Sequence, residues 1–249
     1  MLASPVAPDR PSDAELDDTD ARLGKAAPQD VLRWAVERFP GKLLMATAFG
    51  AEGCCLIHML AEVGRNTTLI NLDTGYQFPE TLALRDRLHQ RYGLTVELVR
   101  PEASVEQYEA EHGGPLYVHR PDQCCHDRKV RPLARALAEY APHAWVSAVR
   151  RDQTENRAST ARVVQWDAKF GLVKVNPLLN WTKKDVWKFV TTHDVPYNPL
   201  HDQGYPSIGC WPCTRPTQPG EDDRAGRWAG KVKKECGLHV VEVKDGAGI

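Results

Sequence analysis

The chain has 249 residues, 42% of them hydrophobic, enough for one large domain with extensions. Its net charge of −1 excludes a global basic field for nucleic acid, so any anion site must come from locally clustered Lys and Arg. No stretch approaches the roughly 20 apolar residues of a membrane span, and the basic-then-apolar pattern of a secretory signal is missing, so the expected compartment is the cytoplasm.

Residues 1–27 carry Pro5, Pro8, Pro11 and an acidic run from Asp13 to Asp18. Too little here is apolar to offset the cost of ordering, which predicts a disordered or loosely docked arm. Pro28 suits the first turn of a helix, and Val31, Leu32, Ala35, Val36 and Phe39 follow at helical spacing towards Gly41. Short apolar runs at 43–48, 67–72, 95–99 and 144–149 read as strands, separated by segments with helical periodicity. That alternation predicts βαβ units and a parallel sheet.

In such sheets ligands bind beyond the carboxyl ends of the strands, so the loops at 49–53, 73–76 and 150–157 are expected to face one cleft. Residues 162–166 and 172–176 read as a hairpin, and Thr182 with Asp185 as a helix-starting capping box. After Pro196 the chain turns irregular. The expected organisation is a nucleotide-binding domain over 28–216 and a mobile tail over 217–249, with no internal repeat.

Phe49-Gly50-Ala51-Glu52-Gly53 joins a strand to a helix, where backbone N–H groups can approach a phosphate. It matches neither common phosphate loop, and a plain strand-to-helix turn is an equal reading; Asp73-Thr74-Gly75 is similarly ambiguous.

The seven cysteines cannot all pair internally, which favours reduced thiols used for metal or catalysis. Cys54 and Cys55 read as core residues. Cys124-Cys125 and the C-x-x-C of Cys210 and Cys213 read as a cage. Adjacent thiols suit a cluster whose iron atoms each need their own thiolate; structural zinc competes, and a redox C-x-x-C is a third reading. Arg128, Lys129 and Arg131 follow the pair, and Arg224 and Arg227 lie towards the tail, which points to an anionic substrate. Cys236, beside Lys233 and Lys234 and three residues before His239, reads as a nucleophile whose thiolate those cations favour.

Together the motifs resemble the assimilatory adenylyl-sulfate reductases of the iron–sulfur type, over residues 43–241. The marks are Ala48-Phe49-Gly50-Ala51-Glu52, Leu72-Asp73-Thr74-Gly75, Cys124-Cys125 with Arg128-Lys129-Val130, and Arg150-Arg151-Asp152-Gln153. They continue in Gly209-Cys210-Trp211-Pro212-Cys213-Thr214, Arg224-Ala225-Gly226-Arg227-Trp228 and Glu235-Cys236-Gly237-Leu238-His239. The resemblance implies an α/β, Rossmann-like fold of the adenine-nucleotide α-hydrolase kind, with an irregular cysteine-bearing C-terminal segment. It also implies a [4Fe–4S] cluster on Cys124, Cys125, Cys210 and Cys213, and attack by Cys236 on adenosine 5′-phosphosulfate. AMP then leaves, and thioredoxin or a similar dithiol releases sulfite from the S-sulfonated cysteine.

By the same resemblance Lys129, Arg224, Arg227 and His239 hold the phosphosulfate. Phe49, Gly50, Ala51, Glu52, Leu72, Asp73, Thr74, Gly75, Arg151 and Arg157 seat the nucleotide. No nucleic-acid or membrane partner is expected, and a homo-oligomer is left open. Gly53 departs from the acidic residue the family often carries there, which would loosen the helix start. The neighbouring readings are a 3′-phosphoadenylyl-sulfate or dual-specificity reductase and, further off, an iron–sulfur tRNA thiolation enzyme. The four cage cysteines count against the first, and the near-zero net charge against the second.

Overall fold

The structure is a computed structural model that describes residues 10–231, 233 and 238. Six strands, β1 (Leu43–Thr47), β2 (Thr68–Leu72), β3 (Val96–Val99), β4 (Ala144–Val146), β5 (Val164–Asp167) and β6 (Leu172–Val175), form one sheet in the order β3-β2-β1-β4-β6-β5. All neighbours are parallel except β5 and β6, which are the expected hairpin.

Strand alternation divides the core between the two faces. Leu44, Ile70, Trp145 and Leu172 point to one side, where they meet Leu133, Ala136 and Leu137. Met45, Leu69, Val146 and Val173 point to the other and join the larger cluster. That larger face is covered by α2 (Pro28–Arg38), α3 (Ala51–Val63), α4 (Pro79–Tyr92) and α10 (Lys183–Thr192). Their starts follow local rules: Pro28 and Pro79 occupy first-turn positions, and Thr182 with Asp185 makes the expected capping box. The smaller face is covered by α8 (Arg131–Tyr140).

Between β3 and α8 lie three helices that no sequence pattern above anticipated: α5 (Val105–His112), α6 (Leu116–His119) and α7 (Pro121–Cys125). α7 runs into α8 through a π-helical turn over His126–Val130. Pro132, in the first turn of α8, cannot donate the next helical hydrogen bond, and the turn widens just before it.

Two expectations about the ends are corrected. Residues 10–27 are not a loose arm, because α1 (Asp13–Leu23) is a capped helix with Leu16, Thr19 and Leu23 buried. Arg162 donates to Asp17 at 2.7 Å and to Asp20 at 3.1 Å, and the Val164 N–H donates to Asp20. Residues 217–231 are likewise part of the fold: Arg215 makes a two-point pair with Glu221, Arg227 forms a bridge with Thr214, and Trp228 is buried. α9 (Glu155–Thr160) completes the helices. No helix among the described residues is long and apolar enough to cross a membrane.

Candidate active site

The chain leaves β1 towards β2 and leaves β4 towards β6, so their carboxyl ends open a crevice between diverging connections. A cavity of about 340 Å³ lies there, walled by Thr47, Ala48 and Gly50–Gly53 after β1, by Leu72 and Thr74 after β2, and by Ser147–Arg150 after β4. The three loops expected to share a cleft do share it.

The turn after β1 is held from within. The Thr47 hydroxyl accepts the Phe49 N–H at 3.0 Å, and Phe49 takes a φ of 55°. A Cβ on Gly53 would come within 2.5 Å of that same hydroxyl oxygen. Gly53 therefore lets α3 start close against β1, and the expected loosening of the helix is not seen. Phe49 itself is buried in the core at 1% exposure and does not line the cavity.

The far wall is organised by an arginine that the sequence reading passed over in favour of its neighbour. Arg150 is 6% exposed; its Nε donates to Glu52 at 2.9 Å and its Nη1 to both Asp152 oxygens. Gln153 also donates to Glu52, accepts the Arg150 N–H, and accepts from the guanidinium of Arg157, which lines the cavity. Arg151 is exposed and outside the wall. Asp73 and Gly75 are outside it too. Asp73 accepts from Arg100 and from the Gly75 N–H, and Gly75, at φ 76°, packs against Val105 and Arg128.

The four cage cysteines come together from two distant stretches. Cys124 and Cys125 sit on α7. Cys210 is brought to them by a bridge with Gln77, by the Trp211 N–H donating to the Tyr76 carbonyl at 2.8 Å, and by a 3.3 Å contact between its sulfur and the Thr74 hydroxyl. The Cys213 N–H donates to the Cys210 carbonyl. All four thiols line one small second cavity. Burial, then the neighbouring charges of Cys125, Cys210 and Cys213, push the Cys124 thiol up to about 12. Burial, then Cys210, also raises Cys213. Ionising Cys124 and Cys213 there calls for compensating positive charge nearby.

No three His, Cys, Asp or Glu side chains among the described residues are grouped to hold a single metal ion. The donor set around the small cavity is all thiol, the chemistry of a thiolate-held centre such as an iron–sulfur cluster or a four-cysteine zinc.

Thr74, Lys129, Cys210 and Trp228 line both cavities, so the thiol cage and the crevice share a wall. Of the three cations after Cys125, Lys129 alone faces the crevice. Arg128 is a buried strut, donating to the Thr74 carbonyl at 2.6 Å and lying over the rings of Tyr76 and Tyr108. Arg131 is exposed.

Arg224, Arg227 and Trp228 close the crevice from the C-terminal side. Arg227 lies across Gly209, where a Cβ would meet the guanidinium carbon at 2.4 Å. Three polar atoms of residues lining the crevice, Gln77 Oε1, His201 Nε2 and Arg227 Nε, are buried without a hydrogen-bond partner among the described residues, as expected of a pocket for a polar ligand. Cys236 and His239 lie outside the described residues. Of their neighbours, Lys233 pairs with Asp122 and Leu238 lines the crevice. Cys54 and Cys55 are fully buried in α3, as expected.

Residues 42–216 match the phosphoadenosine phosphosulfate reductase domain family. The chain is 50% identical to a phosphoadenosine 5′-phosphosulfate reductase of Gloeobacter violaceus, over 86% of this chain and 89% of the relative. It is 43% identical to an adenosine 5′-phosphosulfate reductase of Salinibacter ruber, over 92% and 90%, and 44% identical to adenosine 5′-phosphosulfate reductase 2 of Bacillus subtilis, over 84% and 88%. A crystal structure of phosphoadenylyl-sulfate reductase from Candida auris, a phosphate complex, superposes with a TM-score of 0.75 at 33% identity, covering 83% of this chain and 98% of that one.

Proposed function

The chain belongs to the phosphoadenosine phosphosulfate reductase family, and from that premise we propose that it reduces adenosine 5′-phosphosulfate to sulfite and AMP. The observation that carries this reading is the shared wall: Lys129 and Cys210 border both the nucleotide-sized crevice and the thiol cage. The names of the Salinibacter and Bacillus relatives support the unphosphorylated substrate.

In this reading the adenosine monophosphate part occupies the crevice after β1 and β4, with the α3 start and Arg157 on the phosphate side. Glu52, Arg150 and Gln153 are a pre-formed bracket that keeps Arg157 in place. Lys129, Arg224 and Arg227 face the sulfate end. The Cys236 thiolate attacks the sulfur, the S–O bond to the phosphate breaks, and the electron pair leaves on AMP. The three cations lower the repulsion between thiolate and sulfate and stabilise charge moving onto the leaving phosphate. His239 is assigned to the same end by sequence. A dithiol such as thioredoxin then attacks the Cys236 sulfur, releasing sulfite and leaving a mixed disulfide that its second thiol resolves.

Cys124, Cys125, Cys210 and Cys213 would hold a [4Fe–4S] cluster, which would set the electrostatics around Lys129. A second reading, with the 3′-phosphorylated compound as an additional substrate, is favoured by the name of the Gloeobacter relative.

Anaerobic protein incubated with adenosine 5′-phosphosulfate and no reductant should gain one SO3 group on Cys236, seen by intact and peptide mass. Cys236→Ser should keep its iron and gain none. An adduct formed faster with the 3′-phosphorylated compound would move the protein to the second reading, and no adduct with either would overturn both.

A further inference from the structure

The polar atoms of the crevice residues left without a partner among the described residues differ in kind. Arg227 Nε is a donor, as an anion requires. Gln77 Oε1 and His201 Nε2 are acceptors, and the hydrogen bonds around them leave them no other role.

The Gln77 amide is oriented from the backbone. Asn71, fully buried, donates through Nδ2 to the Thr47 carbonyl at 2.8 Å, which makes its Oδ1 the acceptor. Gln77 Nε2 donates to that Oδ1 at 2.9 Å and to the Leu72 carbonyl at 2.7 Å. Both amide hydrogens are thereby engaged, and a flipped amide would set oxygen against two acceptors.

His201 sits in the 3-10 turn Pro199–Gln203, flanked by the rings of Trp187 and Tyr197. Its Nδ1 lies 2.8 Å from the Tyr205 carbonyl, which can only accept, so Nδ1 carries the hydrogen. Burial keeps the ring neutral against the pulls of the Tyr205 carbonyl, Glu52 on α3 and Asp202 in its own turn, and Lys183 on α10 acts with burial. Nε2 therefore presents a lone pair.

We infer that Gln77 and His201 are specificity-determining residues, whose Oε1 and Nε2 accept hydrogen bonds from donor groups of the bound nucleoside, its exocyclic amino group or its ribose hydroxyls. The inference rests on the crevice as the nucleotide site. Phosphate oxygens would not serve at these two atoms, because an acceptor facing an acceptor leaves both unpaired. Arg227 suits the anionic part of the ligand, and Gln77 and His201 its uncharged part.

The test measures binding of AMP, purine riboside 5′-monophosphate, 2′-deoxy-AMP and 3′-deoxy-AMP to full-length, cluster-loaded protein by calorimetry. At least one analogue should bind wild-type protein roughly three- to tenfold more weakly than AMP. His201→Phe should weaken AMP by a similar factor and cease to distinguish it from the analogue lacking the donor that His201 meets. Gln77→Leu should do the same for its own donor. His201→Gln, whose amide oxygen can accept, should keep most of the discrimination. Below about pH 6.5 a proton on Nε2 turns the acceptor into a donor, so AMP affinity should fall more steeply in wild-type protein than in His201→Gln.

Each residue stands or falls by its own variant. Equal loss for AMP and every analogue, the pattern of a structural change or of a displaced water, would overturn its assignment. Wild-type protein that bound AMP and all three analogues alike would overturn both assignments and leave the nucleotide site standing. Wild-type protein that bound no AMP would overturn the nucleotide site and the inference with it.

Discussion

Two helices of this molecule each carry a pair of adjacent cysteines, and the pairs sit in different surroundings. On α3, Cys54 and Cys55 sit among Leu56, Ile57, Met59 and Leu60, with sulfurs against the carbonyls of Phe49 and Val186. Burial pushes Cys54 well up and Cys55 to about 12, so both stay neutral packing groups. On α7, Cys124 and Cys125 face two further thiols across a small cavity. The residue pair is the same; the company each sulfur keeps decides its chemistry. α3 contributes to the site through its first turn, and α7 through its thiols and the π turn that presents Lys129.

The largest effect that would break this contrast is on iron. Cys124→Ser should abolish iron and labile sulfide binding, whereas Cys54→Ala should leave both intact and lower unfolding stability by about 1 kcal/mol through a small cavity. Equal iron in both variants would erase the distinction. Next comes the α3 end of the site. Arg150→Met leaves Glu52 and Asp152 without their buried cation and should cost about 2–4 kcal/mol in urea unfolding, with a rise in KM for the nucleotide. A loss of iron with unchanged KM would assign Arg150 to the wrong half.

The smallest effect concerns His201, a histidine of the crevice wall. Burial holds the His201 imidazole below its ordinary range, outweighing the upward pulls of the Tyr205 carbonyl and Glu52. The fold therefore favours neutral His201. Its contribution is present above the ordinary histidine value of about 6.5 and is lost as pH falls from there through the lower folded value. His201→Gln should flatten the fall in urea midpoint over that window. A residual slope is expected from His58, which burial also lowers. An unchanged slope would mean that His201 does not titrate with unfolding.

The sheet was legible because parallel strands buried on both faces read as short apolar runs, and the loops after β1, β2 and β4 converge by topology alone. That Cys124, Cys125, Cys210 and Cys213 lie around one small cavity accords with the grouping that residue type and the resemblance suggest. Three things were not legible. α1 is amphipathic only through Leu16 and Leu23, and its polar contacts reach Arg162, distant in the chain. α5, α6 and α7 are too short for a helical period to register. The choice between Arg150 and Arg151 depends on a tight 3-10 turn that buries one and exposes the other, which adjacent identical residues cannot reveal. Trp228 and its neighbours looked mobile by composition, yet they are stitched to Cys213 and Thr214 by backbone bonds that composition does not report.

α1 has one more consequence. β5 is the terminal strand of the sheet, and the helix lies against it, with Asp20 accepting from the Val164 N–H. An uncovered strand at the margin of a sheet is a template for intermolecular β-pairing. A chain begun at Pro28 would keep every residue of the crevice and cage while baring that strand. Its defect would be self-association and aggregation at high concentration, with the chemistry of each folded molecule unaltered.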